Sequence, residues 1–395
     1  MPSGPMKPTC RLLSTFAAMV ALLLAGPARA TELEGALTWD LLTIGPATDL
    51  FSLWGHSALC VSTTDYRRGQ CYDFGVAREE NPAKLALGTL RGERMFTALK
   101  LPAGLILAQA RYRDTFRQRI RLDQVRARAL LAELEATVGR RQGYAYQPLF
   151  RNCTTEIRDR LDVALGGRLR AGDKTRSGSP LREVAEAGIS GQVLPLALVA
   201  LAGGSWIDRP STSWERMALP QGLMNALTER LSAAPSRVWT RKGAPPPTSP
   251  AAGRMVLILL TAAWALAFWL LARNSPRRSR VLQRSVGVWL GCLSLVPLAG
   301  MLSTLPSLQH NWMMLVLVPL DLVLVARAAK WQERYVLCRL ATLVALGALA
   351  LAGIIHASLW IGVLLAGAPL GLWLWSRRRS PSPQPASPPP TGLAA

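Results

Sequence analysis

Hydrophobic positions follow two regimes along the chain. Up to about residue 240 they come in short clusters at strand and amphipathic-helix spacing, and from Met255 onward they form long apolar runs broken by arginine. In the first regime Ser57 to Val61 reads as a strand after Gly55, a glycine that allows close backbone approach. The segment HSALCVSTTDYRRGQCYDFG reads as a hairpin with apolar arms around a polar turn. Asn81-Pro82 suggests a helix start, and Tyr112 to Leu122 alternates as an edge strand. Asp123 can cap a helix from Gln124 to about Gly139, with Val125, Leu130, Leu131 and Leu134 on its apolar side. Val193 to Ala202 is apolar but too short to span a bilayer, so it is a core helix or a strip resting on the membrane. Ser213-Trp214 and Pro220 open short helices.

The second regime predicts membrane spans at Met255–Ala272, Ser285–Leu305, Trp312–Ala326, Leu340–Ile355 and Leu359–Trp375, about five helices within residues 255–379. Arg273, Arg277, Arg278, Arg280 and Arg284 fill the first connection, Arg327, Lys330, Arg334 and Arg339 the third, and Arg377 to Arg379 follow the last span. The connections around Pro306–Asn311 and His356–Ser358 carry no lysine or arginine, so the positive-inside rule puts the N-terminal domain outside and the C-terminus in the cytoplasm. Asp321, inside the third span, is either a functional carboxylate or a partner for Arg327.

Residues 1–30 have the layout of a secretory signal peptide: Lys7 and Arg11, an apolar run from Leu12, then Ala28-Arg29-Ala30. An uncleaved first membrane helix is the alternative. The expected domains are thus the signal at 1–30, an extracytoplasmic domain at 31–240, a proline-rich linker at 241–254, the spans, and a proline-rich cytoplasmic tail at 380–395 expected to be disordered. A formal net charge of +22 invites a nucleic-acid reading, but much of the arginine flanks hydrophobic spans and no nucleic-acid-binding fingerprint is present. Arg111, Arg113, Arg117, Arg119 and Arg121 cluster either as a solvated face or as a surface for anionic headgroups.

Candidate chemistry concentrates in YAYQPLFRNCTTEIRDRL, Tyr144 to Leu161, where an irregular aromatic run turns into a helix. Asn152 or Thr154 can cap that helix, Glu156 sits in its first turn, Ile157 and Leu161 recur on one face, and Gly166-Gly167 ends it. Cys153 therefore sits at a helix N-terminus, where the dipole and unpaired N–H groups favour thiolate and could hold an oxyanion. Of three histidines, His310 and His356 border hydrophobic spans, which leaves His56 as the base for a catalytic Cys153. The bland alternatives are a small buried thiol and a structural imidazole. If the hairpin turn is centred between Asp65 and Tyr66, Cys60 faces Cys71, as a disulfide or as two small hydrophobes. In that register Asp73 points to the side of the sheet that carries His56, either orienting the imidazole or serving as a turn carboxylate. One histidine and scattered cysteines make no metal-ligand set, and no cofactor is implied.

The series LLTIGPATDLFSLWGHSALCV, CYDFG, YAYQPLFRNCTTEIRDRL and QHN followed by WMMLVLVPL resembles the Lnb-type lipoprotein N-acyltransferase family. The resemblance covers most of residues 36–230. It implies an α+β permuted papain-like cysteine/histidine domain followed by an all-α transmembrane bundle. It further implies Cys153 as nucleophile, His56 as base and Asp73 as third member. The implied reaction moves an acyl chain from the glyceryl group of a diacylated lipoprotein to its N-terminal cysteine amine, at the bacterial inner membrane, with lipoproteins and the phospholipid bilayer as partners. Two other classes stay open: an extracytoplasmic cysteine peptidase or amidase acting on cell-wall peptide, and a non-catalytic membrane assembly factor. An apolar acyl groove beside Cys153 separates the transferase from the hydrolase.

Overall fold

Strand β1 (Thr38–Ile44) is buried along almost its whole length, with Trp39 and Leu41 facing one side of the sheet and Leu42 and Ile44 the other. It lies inside a six-stranded antiparallel sheet of order β4-β3-β2-β1-β5-β8, built from β2 (His56–Ser62), β3 (Gln70–Ala77), β4 (Phe96–Pro102), β5 (Thr115–Ile120) and β8 (Ser236–Trp239). A two-stranded ribbon of β6 (Gly178–Pro180) and β7 (Pro210–Ser211) stands apart. The structure, a computed structural model, describes residues 35–48, 51–173, 175–176, 178–189, 192–243, 249–273, 276–326, 330–355 and 359–379. The expected signal peptide, the tail and the centre of the proline-rich linker lie outside the described residues.

Helices of the extracytoplasmic part are α1 (Pro82–Leu90), α2 (Ala103–Gln109), α3 (Gln124–Gly139), α4 (Cys153–Ala164), α5 (Leu181–Gly188), α6 (Val193–Ala202), α7 (Ser213–Arg216) and α8 (Pro220–Leu231). One face of the sheet, with Trp39, Leu41, Leu59, Val61, Tyr72 and Phe74, packs on Leu130 and Leu134 of α3, Ile157 and Leu161 of α4, and Leu223 and Leu227 of α8. The opposite face, with Leu42, Ala58, Cys60 and Cys71, packs on Ile106 and Leu107 of α2. Cys60 and Cys71 are cross-strand partners and form a disulfide.

Several local expectations are corrected. The 112–122 segment is no edge strand, because β8 returns from the end of the domain to pair with β5. Val125 is 81% exposed, while Ala127 takes the buried place one turn before Leu130 and two turns before Leu134. The arginine cluster is largely engaged: Arg117 and Arg119 both direct Nε at the buried Asp40 carboxylate, at 2.9 and 2.8 Å, and Arg113 Nε donates to the Gly45 carbonyl at 2.7 Å.

Among the described residues of the C-terminal part, four helices are long and apolar enough to cross a membrane: α9 (Ala252–Ala272), α10 (Pro276–Leu302), α11 (Lys330–Leu351) and α12 (Leu359–Arg379). The expected span at Trp312–Ala326 is not an α-helix but two 3-10 helices, Trp312–Leu315 and Pro319–Val325. Pro319 lacks the N–H a continuous helix needs at that point. The segment runs back along α10, with Leu308 against Gly300, Leu322 against Gly291 and Val325 against Gly287. Asp321 is fully buried there. Its carboxylate is held by Tyr335 at 2.7 Å and by Arg339 Nε and one terminal nitrogen at 3.0 Å each, so its partner is Arg339.

The two parts are joined by more than the linker. Thr304 N–H donates to the Leu90 carbonyl at 2.8 Å, Gly204 N–H to the Ser307 carbonyl at 2.8 Å, and Asn311 Nδ2 to the Leu201 carbonyl at 2.7 Å. Arg254 at the start of α9 pairs with the buried Glu186 of α5.

Candidate functional site

The loop before β2 delivers His56 through Gly55, whose φ of 91° suits glycine and whose missing side chain lets the Ile44 carbonyl approach; a Cβ there would sit 2.4 Å from that oxygen. From the other end of the domain α4 delivers Cys153 as its first residue. Asn152 is the N-cap: its Oδ1 accepts from Thr155 N–H at 2.9 Å while Thr155 Oγ1 accepts from Asn152 N–H at 2.7 Å, a reciprocal cap that fixes the helix start. Asn152 Nδ2 also donates to the carbonyls of Pro148 at 2.6 Å and Ala218 at 2.9 Å, so the turn that carries the cysteine is tied on two sides.

These supports bring together the three residues singled out from the sequence. His56 Nε2 lies 3.0 Å from Asp73 Oδ1, out of line with the ring N–H, so the contact is an ion pair more than a directed hydrogen bond. The Cys153 thiol and the same imidazole are electrostatically coupled, each favouring charge on the other. Burial opposes charge on His56, but the Asp73 carboxylate and then the Cys153 sulfur overcome it and raise its pKa well above 6.5. Burial likewise pushes the Cys153 thiol up, and the imidazolium outweighs it, leaving the thiol below its ordinary value. Asp73, despite burial, is lowered by His56 and by the Gly75 N–H, which donates to its Oδ1 at 2.7 Å. Such a trio favours a thiolate–imidazolium pair oriented by a carboxylate. The N–H groups of Cys153 and Thr154 have no protein partner among the described residues and are open to an oxyanion.

Four further residues serve the site. Gly75 lies against the His56 ring: a Cβ there would meet Cε1 at 2.6 Å and Nδ1 at 3.1 Å. The register that pairs Cys60 with Cys71 also puts Gly75 opposite His56, a signal present in the hairpin. Ser57 Oγ and Thr154 Oγ1 are 3.1 Å apart in the interior and join β2 to α4. Tyr144 donates its hydroxyl to the Phe74 carbonyl at 2.6 Å and belongs to an aromatic cluster with Phe51, Phe96 and Tyr146. No local sequence signal distinguishes Tyr144 from its neighbours.

An apolar groove of about 470 Å³ adjoins this cluster. Its domain side is Phe51, Trp54, Tyr146 and Pro148, and its other side is Leu198 of α6 with Leu295 and Ala299 of α10. Pro148 is the residue whose carbonyl the Asn152 amide holds, so the groove wall is tied to the N-cap of the helix that begins at Cys153. No group of three or more metal-ligating side chains occurs among the described residues.

These features define a membrane protein whose α/β domain carries a cysteine, histidine and carboxylate cluster above a helical bundle. Residues 34–186 match the family model described as the Lnb N-terminal periplasmic domain, and this part of the chain is a domain of the Lnb type. The match takes in His56, Asp73 and Cys153 and stops within α5. No curated protein and no solved structure matches the chain.

Proposed function

We propose that the protein is a membrane-anchored thiol acyltransferase that moves an acyl chain from the diacylglyceryl group of a lipoprotein to its N-terminal cysteine amine. The apolar groove carries this reading, because it runs between bundle helix α10 and Pro148, which is tied to the N-cap before Cys153, and offers an acyl chain an apolar bed. The thiolate attacks the ester carbonyl carbon, and the oxyanion is held at the start of α4. The glyceryl oxygen leaves with a proton from the His56 imidazolium. The amine then attacks the thioester, His56 takes its proton, and the thiolate departs as the amide forms. A histidine strand preceding the cysteine helix, packed on an antiparallel sheet, supports a permuted papain-like arrangement.

In this reading the 3-10 segment that runs back along α10 is a further pass beside the four helices, and the positive-inside flanks support an Lnb-type domain on the outer face of the inner membrane with Arg377 to Arg379 in the cytoplasm. The test is mass spectrometry of lipoprotein N-termini from cells with the protein, without it, and with Cys153→Ala. An N-acylated species lacking one glyceryl ester, made only with the intact thiol, is expected. An unchanged lipid pattern in all three points to the peptidase or amidase.

A further inference from the structure

The groove is one of two cavities that share Trp54. The second, a cleft of about 810 Å³, lies among α5, α7, α8 and the start of α9, and Trp54 lines it as well. Trp54 Nε1 donates to the Ala185 carbonyl of α5 at 2.9 Å, which fixes the indole as a partition two residues before His56. Asn152 repeats this division from the cysteine side. One of its two carbonyl acceptors belongs to Pro148, in the groove wall, and the other to Ala218, between Met217 and Leu219 in the cleft wall. One wall residue of the groove and one residue beside the cleft wall are thus tied to the N-cap of the helix that begins at Cys153.

Their linings differ in kind. The groove is apolar, whereas the cleft carries Glu183, Glu186, Glu229, Arg216, Arg230 and Arg254. Its guanidinium groups are engaged. Arg254 is spent on Glu186, Arg230 on Ser213 Oγ and the carbonyls of Leu169 and Ala171, and Arg216 on Ser211 Oγ at 3.4 Å. Glu183 and Glu229 are exposed and have no ion-pair partner among the described residues, so they are the cleft's two carboxylates free to meet a cationic group.

We propose that this cleft takes the polypeptide following the acyl-accepting residue, with its cationic groups over Glu183 and Glu229, while the acyl chains lie in the groove. The proposal rests on the acyl-transfer reading. An amine that reaches Cys153 brings its polypeptide with it, and that chain needs a polar exit beside the same partition. The cleft is such an exit, and its volume is at the upper end for a ligand pocket.

The test uses the full chain with Cys153→Ala in nanodiscs and two fluorescent probes, diacylglyceryl-cysteine alone and the same lipid continued by a lysine-rich peptide. The peptide is expected to tighten binding about tenfold. Asn225→Trp, on the exposed face of α8 that lines the cleft, is expected to erase that gain and leave the short probe unaffected. The proposal is overturned if the peptide brings no gain, if the gain survives Asn225→Trp, if both probes weaken equally, or if a zwitterionic phospholipid without peptide competes the gain away. Failure of the acyl-transfer reading registers separately, as absence of acyl-Cys153 from the wild-type protein incubated with either probe.

Discussion

Gly75 lies opposite His56, and the imidazole occupies the space a side chain at position 75 would fill. The same residue donates its N–H to Asp73 Oδ1, so one glycine sets both the ring and the carboxylate that orients it. Gly75→Ala is therefore expected to displace the ring while the core is kept. A misplacement approaching 1 Å lowers turnover by about 10²-fold. The check is acylation rate beside thermal unfolding: loss of rate at unchanged Tm is expected, and equal loss of both would remove the positioning role.

The raised His56 and lowered Cys153 predict a paired state over a window of pH. The thiolate is lost as pH falls through the depressed Cys153 value, and the imidazolium as pH rises through the elevated His56 value. Alkylation of Cys153 by iodoacetamide should thus continue well below the pH at which an ordinary thiol reacts, and His56→Ala should move its inflection upward. Asp73→Asn should bring the alkaline limb of acyl transfer to lower pH, because the carboxylate is the largest influence raising His56. Inflections unchanged by both variants would deny the pairing.

Cys60 and Cys71 close a short loop at the end of the β2–β3 hairpin. Their removal as a Cys60→Ser, Cys71→Ser pair is expected to cost about 3 kcal/mol of domain stability, by releasing the unfolded chain. The comparison is unfolding of wild type with and without reductant against the double variant. Wild type plus reductant should coincide with the variant, and an insensitive wild type would speak against the bridge's contribution.

In the bundle, Asp321→Ala leaves Arg339 buried without a carboxylate and is expected to destabilise by about 3–5 kcal/mol. Asp321→Leu with Arg339→Met removes both charges and should recover much of that loss. Thermal unfolding in detergent reads both, and equal damage by single and double variants would assign the pair a role beyond charge balance.

Much of this site was legible in the chain. Cys153 at a helix start, Asn152 as one of two candidate caps and the hairpin register that carries Asp73 to His56 follow from local spacing, because caps and two-fold alternation are short-range properties. The β5–β8 pairing was not legible, since it joins segments more than a hundred residues apart through a strand of four residues. The 3-10 path at Trp312–Val325 was hidden for a related reason. Hydropathy registers an apolar run, but Pro319 and the demand of Asp321 for Arg339 decide its backbone. The groove and cleft arise where loops from distant positions meet, and no window of sequence contains them.

The contacts of Leu90 with Thr304, Leu201 with Asn311, and Glu186 with Arg254 mean that the Lnb-type domain is seated on its bundle and does not swing from the proline-rich linker. A proteolytic nick in that linker should leave both fragments migrating together. The height of Cys153 above the lipid is then a fixed dimension of the molecule, and under the proposed acyl transfer it sets the depth at which an ester bond would meet the sulfur.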